Sequence, residues 1–144
     1  MRDDFPMAVK ETLALRVGVR CSNPQCRKPT SGPQEDPSQA VNIGVAAHIT
    51  AASPGGPRYD PRLSPEERRS ATNGIWLCQN CAKLVDNDEN RYPVDIIRDW
   101  KAQSEETARQ ALETNPPSSA QVMPQMDEWK KSISEVSYCL GYYA

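Results

Sequence analysis

A chain of 144 residues is the length of one small domain with at most an appendage, and a core of that size can support itself. No apolar run approaches the roughly 20 residues a membrane helix needs, and the opening Met-Arg-Asp-Asp-Phe-Pro lacks the apolar core of a signal peptide, so a soluble, cytoplasmic protein is expected. The net charge of −2 gives no global pull on nucleic acid, but its distribution is uneven: residues 1–86 carry eleven Lys/Arg against nine Asp/Glu, and residues 87–144 carry six against ten.

Val9, Leu13 and Val17 recur every four residues and predict a short helix over 7–17, ended by Gly18. It leads into Cys21-Ser-Asn-Pro-Gln-Cys26, where Asn23 and Pro24 bend the backbone enough to bring two thiolates onto one ion. The stretch 28–38 is rich in Pro, Ser and Gly, has no periodicity and reads as loop. Small apolar and β-branched residues over 41–49 predict a strand that ends at His48 and Ile49. Residues 50–61 hold too many prolines and glycines for regular structure. Ser64-Pro-Glu-Glu then carries a helix start, with Ser64 as N-cap, Pro65 at the first position and Glu67 three residues after the cap. Ile75, Trp76 and Leu77 predict a second strand pairing with the first, and residues 78–86 turn into a helix, which makes a ββα unit over about 41–90. Ile97, Trp100, Ser104, Ala108 and Ala111 predict a helix over 94–112 that packs back on the domain. Residues 1–114 thus form the expected domain and 115–125 a linker. Met126, Trp129, Ile133, Val136 and Leu140 mark an amphipathic helix or tail over 126–144.

Cysteines carry the strongest chemical signal. In a reducing compartment, short paired spacings indicate metal ligands more than disulfides, so Cys21 and Cys26 with Cys78 and Cys81 are expected to bind one structural Zn²⁺ in a closed tetrahedral site. Such a site would staple the first helix to the ββα unit and add folding energy. Cys139 is left over, with no role required beyond packing.

With Cys21-x4-Cys26, His48, Asn73 and Cys78-x2-Cys81 in this order, the chain resembles the HNH family of ββα-metal endonucleases in its zinc-knuckle form. The pieces that carry the resemblance are Ala-Ala-His-Ile at 46–49, Gly-Pro-Arg-Tyr-Asp at 56–60 and Asn-Gly-Ile-Trp-Leu-Cys-x-x-Cys at 73–81. It spans roughly residues 10–112. Domains of this kind are similar to nuclease modules of bacterial anti-phage systems. The resemblance implies an α+β fold, a small zinc-stapled ββα-metal domain with flanking helices, and metal-dependent cleavage of DNA without sequence choice.

His48, the sole histidine, suits the general base, because a neutral imidazole can take a proton from water near neutral pH. The resemblance gives Asn73 the task of fixing the loop and the orientation of that base; an Asn before Gly is equally a turn former. The family usually has a histidine after the last knuckle cysteine to help hold the catalytic cation, and here that residue is Ala82. Asp86, four residues on and on the same helix face, would then hold Mg²⁺ or Mn²⁺, with Asp60 as a further carboxylate to consider. Arg58, Arg62, Arg68 and Arg69 would meet a DNA backbone, with i, i+4 ion pairing on a solvated helix as the plainer alternative. Two other readings stand beside the nuclease: a zinc-stapled DNA-binding module silenced at Ala82, and an interaction protein whose C-terminal stripe docks on a second copy or a regulatory partner.

Overall fold

The computed structural model describes residues 2–114; the linker and the C-terminal stripe lie outside the described residues. The fold is a small α+β domain with two short antiparallel sheets, and no helix among the described residues is long and apolar enough to cross a membrane. Helix α1 spans Met7–Arg16 and stops where Gly18 and Val19 both take the left-handed conformation, at φ 62° and 58°. There the N–H groups of both residues bond back to the carbonyls of Leu15 and Ala14.

Strands β1 (Ser31–Pro33) and β2 (Ala40–Asn42) pair as a hairpin on the surface. Three residues of the segment expected to be loop over 28–38, Ser31–Pro33, are therefore strand, and Pro33 and the exposed faces of both strands give the hairpin no hydrophobic alternation. The strand expected over 41–49 is also two strands. Its first residues belong to β2, and Gly44–His48 forms β3, which pairs with a different partner.

That partner is β4, Gly74–Cys78, in the register Gly44 to Cys78 through His48 to Gly74. Side chains on a strand alternate, so the sheet has two faces. Val45, Ala47, Ile49, Ile75 and Leu77 pack on one side with Val85 of helix α3 (Gln79–Asn87) and Ile97 of helix α4 (Val94–Glu113). Ala46 and Trp76 pack on the other side with Phe5, Leu13 and Val17, around α1. His48 follows the parity of Ala46, so its ring lies on the α1 side. The two β-strands followed directly by α3 make the ββα order.

Between β3 and β4, the expected cap is present in full. Ser64 accepts from the N–H of Glu67 while the Glu67 carboxylate accepts from the Ser64 N–H, closing a capping box on helix α2, Pro65–Arg68. A 3₁₀ turn, Ala71–Asn73, follows. Helix α4 is held by polar ties as well as by Ile97. Lys101 Nζ donates to the carbonyls of Ala71 and Gly74 at 3.1 and 2.7 Å, and Ser104 Oγ lies 2.8 Å from the carbonyl of Ser22. The predicted stripe holds through Ile97, Trp100, Ser104 and Ala108, but Ala111 is exposed.

Candidate functional site

The two cysteine pairs meet. Cys21 and Cys26 flank a tight turn in which Asn23 Oδ1 accepts from the Gln25 N–H at 3.0 Å and the Asn23 carbonyl accepts from the Cys26 N–H at 2.9 Å. Cys78 ends β4 and caps α3, its Sγ accepting from the Cys81 N–H at 3.4 Å. A backbone bond from Ser22 N–H to the Trp76 carbonyl, 2.9 Å, brings the upstream turn onto β4. All four sulfurs lie within 4.8 Å of one another, and Cys26 and Cys78 are 4.0 Å apart. A tetrahedron with arms of about 2.3 Å has edges of about 3.8 Å, so the four could hold one zinc ion; 4.0 Å is far beyond a sulfur–sulfur bond of about 2.05 Å.

The surroundings suit thiolates that share a cation. Asn23 Nδ2 donates to Cys81 Sγ at 3.4 Å, the kind of outer contact that orients a ligand. Burial pushes the Cys21 thiol up to about 11 and raises Cys81 as well. At Cys78 burial acts the same way but is outweighed by hydrogen bonds from Cys81, which leave the thiol below its ordinary value. Four deprotonated sulfurs in so small a buried volume need a positive charge among them.

His48 stands at the end of β3, half-buried, and lines a recess of about 150 Å³ together with Ala47, Ala82 and Asp86. Ala82 and Asp86 of α3 thus line the same recess as the histidine, whose ring itself packs on Phe5 at the α1 side, and Ala82 stands at the position where the family resemblance implies an imidazole. Burial lowers the His48 pKa, against an opposing hydrogen bond to the Asp3 carbonyl. Nε2 lies 2.9 Å from that carbonyl, and the Phe5 ring stacks on the imidazole with centroids 3.9 Å apart and planes 7° from parallel. Neither Asp3 nor Phe5 stood out in the sequence. The one available signal was that Phe5, the chain's sole phenylalanine, precedes the Pro6 that opens α1.

Asn73 is buried and its amide is fully used. Oδ1 accepts from the Thr50 N–H and the Thr50 hydroxyl at 3.0 and 2.8 Å, and Nδ2 donates to the carbonyls of Thr50 and Arg68 at 3.0 and 3.1 Å. It pins the chain two residues beyond His48 and leaves no group for substrate. These bonds fix the loop that follows β3, which is where the resemblance gives Asn73 its task.

Two of the four arginines expected on display have buried side chains, a correction to that expectation. The Arg58 side chain is 4% exposed and its guanidinium donates to the carbonyls of Ile49 and Val85 and to Asp86 Oδ1. Arg68 is also buried, pairing with Asp3, donating to the Asp60 carbonyl and lying 4.8 Å over the Tyr59 ring. Arg62 and Arg69 are on the surface, where Arg62 grips Asp60 through two hydrogen bonds of 3.0 Å and Arg69 faces Glu66. Asp60 is thereby occupied with Arg62 and is absent from the His48 recess. Arg58, Arg62 and Asp60 instead line a separate open groove with Arg98 and Glu89.

The chain matches no protein-family model, and no curated protein matches it.

Proposed function

We propose that this domain is a zinc-stapled, metal-dependent DNA endonuclease in which His48 takes the proton from the attacking water. The observation that carries the reading is the shared recess of His48 and Asp86, built on a β3–β4–α3 unit whose helix starts at two of the four clustered cysteines. In this reading Zn²⁺ sits among Cys21, Cys26, Cys78 and Cys81 and holds the start of α3, so that the recess keeps its shape.

Asp86 is the carboxylate that would hold Mg²⁺ or Mn²⁺. Mg²⁺ sites commonly use one or two carboxylates with waters and substrate phosphates, so a single aspartate meets the lower bound. A bound cation of this kind supplies charge stabilisation at the phosphoryl oxygens. His48 contributes proton transfer, and its depressed pKa keeps it neutral, the form a base requires. Arg62 and Arg69 are the exposed cations near the β3–β4 connection that would follow a phosphate backbone without reading sequence.

A second reading, a DNA-binding module without cleavage, is favoured by two observations: Ala82 offers the cation no ligand, and Arg58 already neutralises Asp86 at 2.9 Å. Plasmid nicking in Mg²⁺, Mn²⁺ and EDTA separates the two. If the chain nicks and His48→Ala does not, the nuclease reading stands. If only the Ala82→His variant nicks, the chain as it stands is a binding module.

A further inference from the structure

Residues 2–6 cross the open side of the imidazole and are tied down at several points. The Asp3 N–H donates to the Ala52 carbonyl at 2.9 Å, and the Asp3 carboxylate pairs with the buried Arg68 at 3.4 Å. The Phe5 side chain is buried against Leu13, Val17 and Trp76 on one side and stacks on His48 on the other. Pro6 then accepts from the Val9 and Lys10 N–H groups and starts α1. A segment with one polar anchor, one apolar anchor and a helix behind it is held in register along the histidine, although 45 residues separate Asp3 from His48 in sequence.

The Asp3 carbonyl can only accept a hydrogen bond. At 2.9 Å from Nε2 it therefore requires a proton on Nε2, and in the neutral ring this leaves the lone pair on Nδ1. We infer that residues 2–6 act as a strap that selects the Nε2–H tautomer of His48, with Asp3 and Phe5 as its positioning residues, so that Nδ1 is the proton-accepting atom only while the strap is docked. The inference deepens the reading of His48 as the base and rests on it for its catalytic meaning. Its structural content, the proton assignment, is independent of cleavage. It also gives the site a means of control, since displacing the strap removes the partner of Nε2, one wall of the ring and the Arg2 edge of the recess without touching the cysteines.

The test uses the chain's single histidine, which gives one imidazole signal set in the full chain labelled with ¹⁵N-histidine. In mildly alkaline buffer, with zinc bound, the expected pattern is a protonated Nε2, an unprotonated Nδ1 and a visible Nε2–H proton. Phe5→Ala and Asp3→Ala are expected to lose the Nε2–H signal to exchange and to move both nitrogen shifts toward the average of the two tautomers. Phe5→Tyr, which keeps the stack, and Asp3→Asn, which keeps an acceptor for Arg68, are expected to retain the pattern. A proton on Nδ1 in the unsubstituted chain overturns the inference, and so does an Nε2–H signal that survives both alanine substitutions unchanged. Should Phe5→Ala fail to fold, the unsubstituted chain and the Asp3 pair still decide. An Nε2–H pattern with this dependence in a chain that never nicks DNA supports the strap and counts against the nuclease reading alone.

Discussion

Arg58 ties Asp86 of α3 to the end of β3: one guanidinium reaches Asp86 Oδ1 at 2.9 Å, the Ile49 carbonyl at 2.8 Å and the Val85 carbonyl at 2.8 Å. It does so from a loop position at φ 56°, a conformation a non-glycine residue adopts only when its surroundings impose it. The fork therefore sets the distance between the two elements that line the recess.

Replacing Arg58 by Ala leaves buried carbonyls unpaired and is expected to destabilise the domain by about 3 kcal/mol, summed over the lost charge-assisted bonds. Arg58→Lys is expected to recover little of this, because a single ammonium cannot span acceptors arranged for a planar fork. Urea denaturation of the three proteins decides. A loss within about 0.5 kcal/mol for Arg58→Ala, the range of an ordinary surface change, would mean the fork is not structural.

Gly44 is fixed by packing. A Cβ there would lie 2.0 Å from Trp76 Cζ2 and 2.4 Å from Cε2, and the indole is itself held by a 2.9 Å bond from Nε1 to Thr30 Oγ1. Gly44→Ala is accordingly expected to cost roughly 2 kcal/mol or more and to red-shift tryptophan fluorescence as the indole is pushed out. An unchanged melting temperature would show that β3 can move away from Trp76.

The cysteine cluster is expected to bind one equivalent of zinc, measured by mass spectrometry under native conditions. Because the upstream turn reaches β4 through Ser22 and Trp76, removing the metal should release residues 21–28 together with the start of α3. Hydrogen exchange in the presence of a chelator would then rise in both segments at once. Cys26→Ser should weaken binding and produce the same paired loss. Exchange confined to one segment would indicate that the two turns are held independently.

How much of this was legible in the sequence depends on how local the signal was. The knuckle spacings, the Ser64 to Glu67 cap and the pairing of the His48 and Trp76 strands all follow from residues a few positions apart or from alternation, and each is present. The β1–β2 hairpin has no buried face to impose a period, so composition made it look like loop. The burial of Arg58 and Arg68 was not legible either, since a charge in a sequence carries no sign of the carbonyls that will converge on it. The same holds for the strap, whose contacts with His48 join the ends of a long separation.

Glu105 accepts from Arg16 Nε and Nη2 at 3.0 and 2.7 Å and so joins α4 to α1. The hydrogen bonds from Arg16 hold its carboxyl below the usual glutamate range, against a smaller opposing effect of burial. With the folded pKa below the unfolded value, the unfolded chain binds more protons between the two, so stability falls as the solution is acidified through that window. The contribution is complete above about pH 4.3, the unfolded glutamate value, and disappears as pH falls through the folded pKa. Glu105→Gln should therefore reduce stability near neutrality and flatten that part of the curve. Comparing the two proteins at each pH cancels the acid sensitivity of the cysteine cluster. A difference that does not change with pH would mean the pair acts through packing alone.

DNA binding, where it occurs, should distinguish the surface arginines from the buried ones. Each phosphate contact removed lowers the slope of log Kobs against log salt by about 0.9. Arg62→Ala and Arg69→Ala are each expected to reduce the slope by about that amount, and the double variant by about twice as much, with no change in sequence preference. Arg62 must first release Asp60, so Asp60→Asn should raise affinity by freeing the guanidinium it now holds. Arg68 is expected to behave differently. Its guanidinium lies over Tyr59 and pairs with Asp3, so Arg68→Ala should lower stability and leave the salt slope of the folded fraction unchanged. A slope that falls with Arg68→Ala and not with Arg62→Ala would move the nucleic-acid surface away from the β3–β4 connection and toward the strap that covers His48.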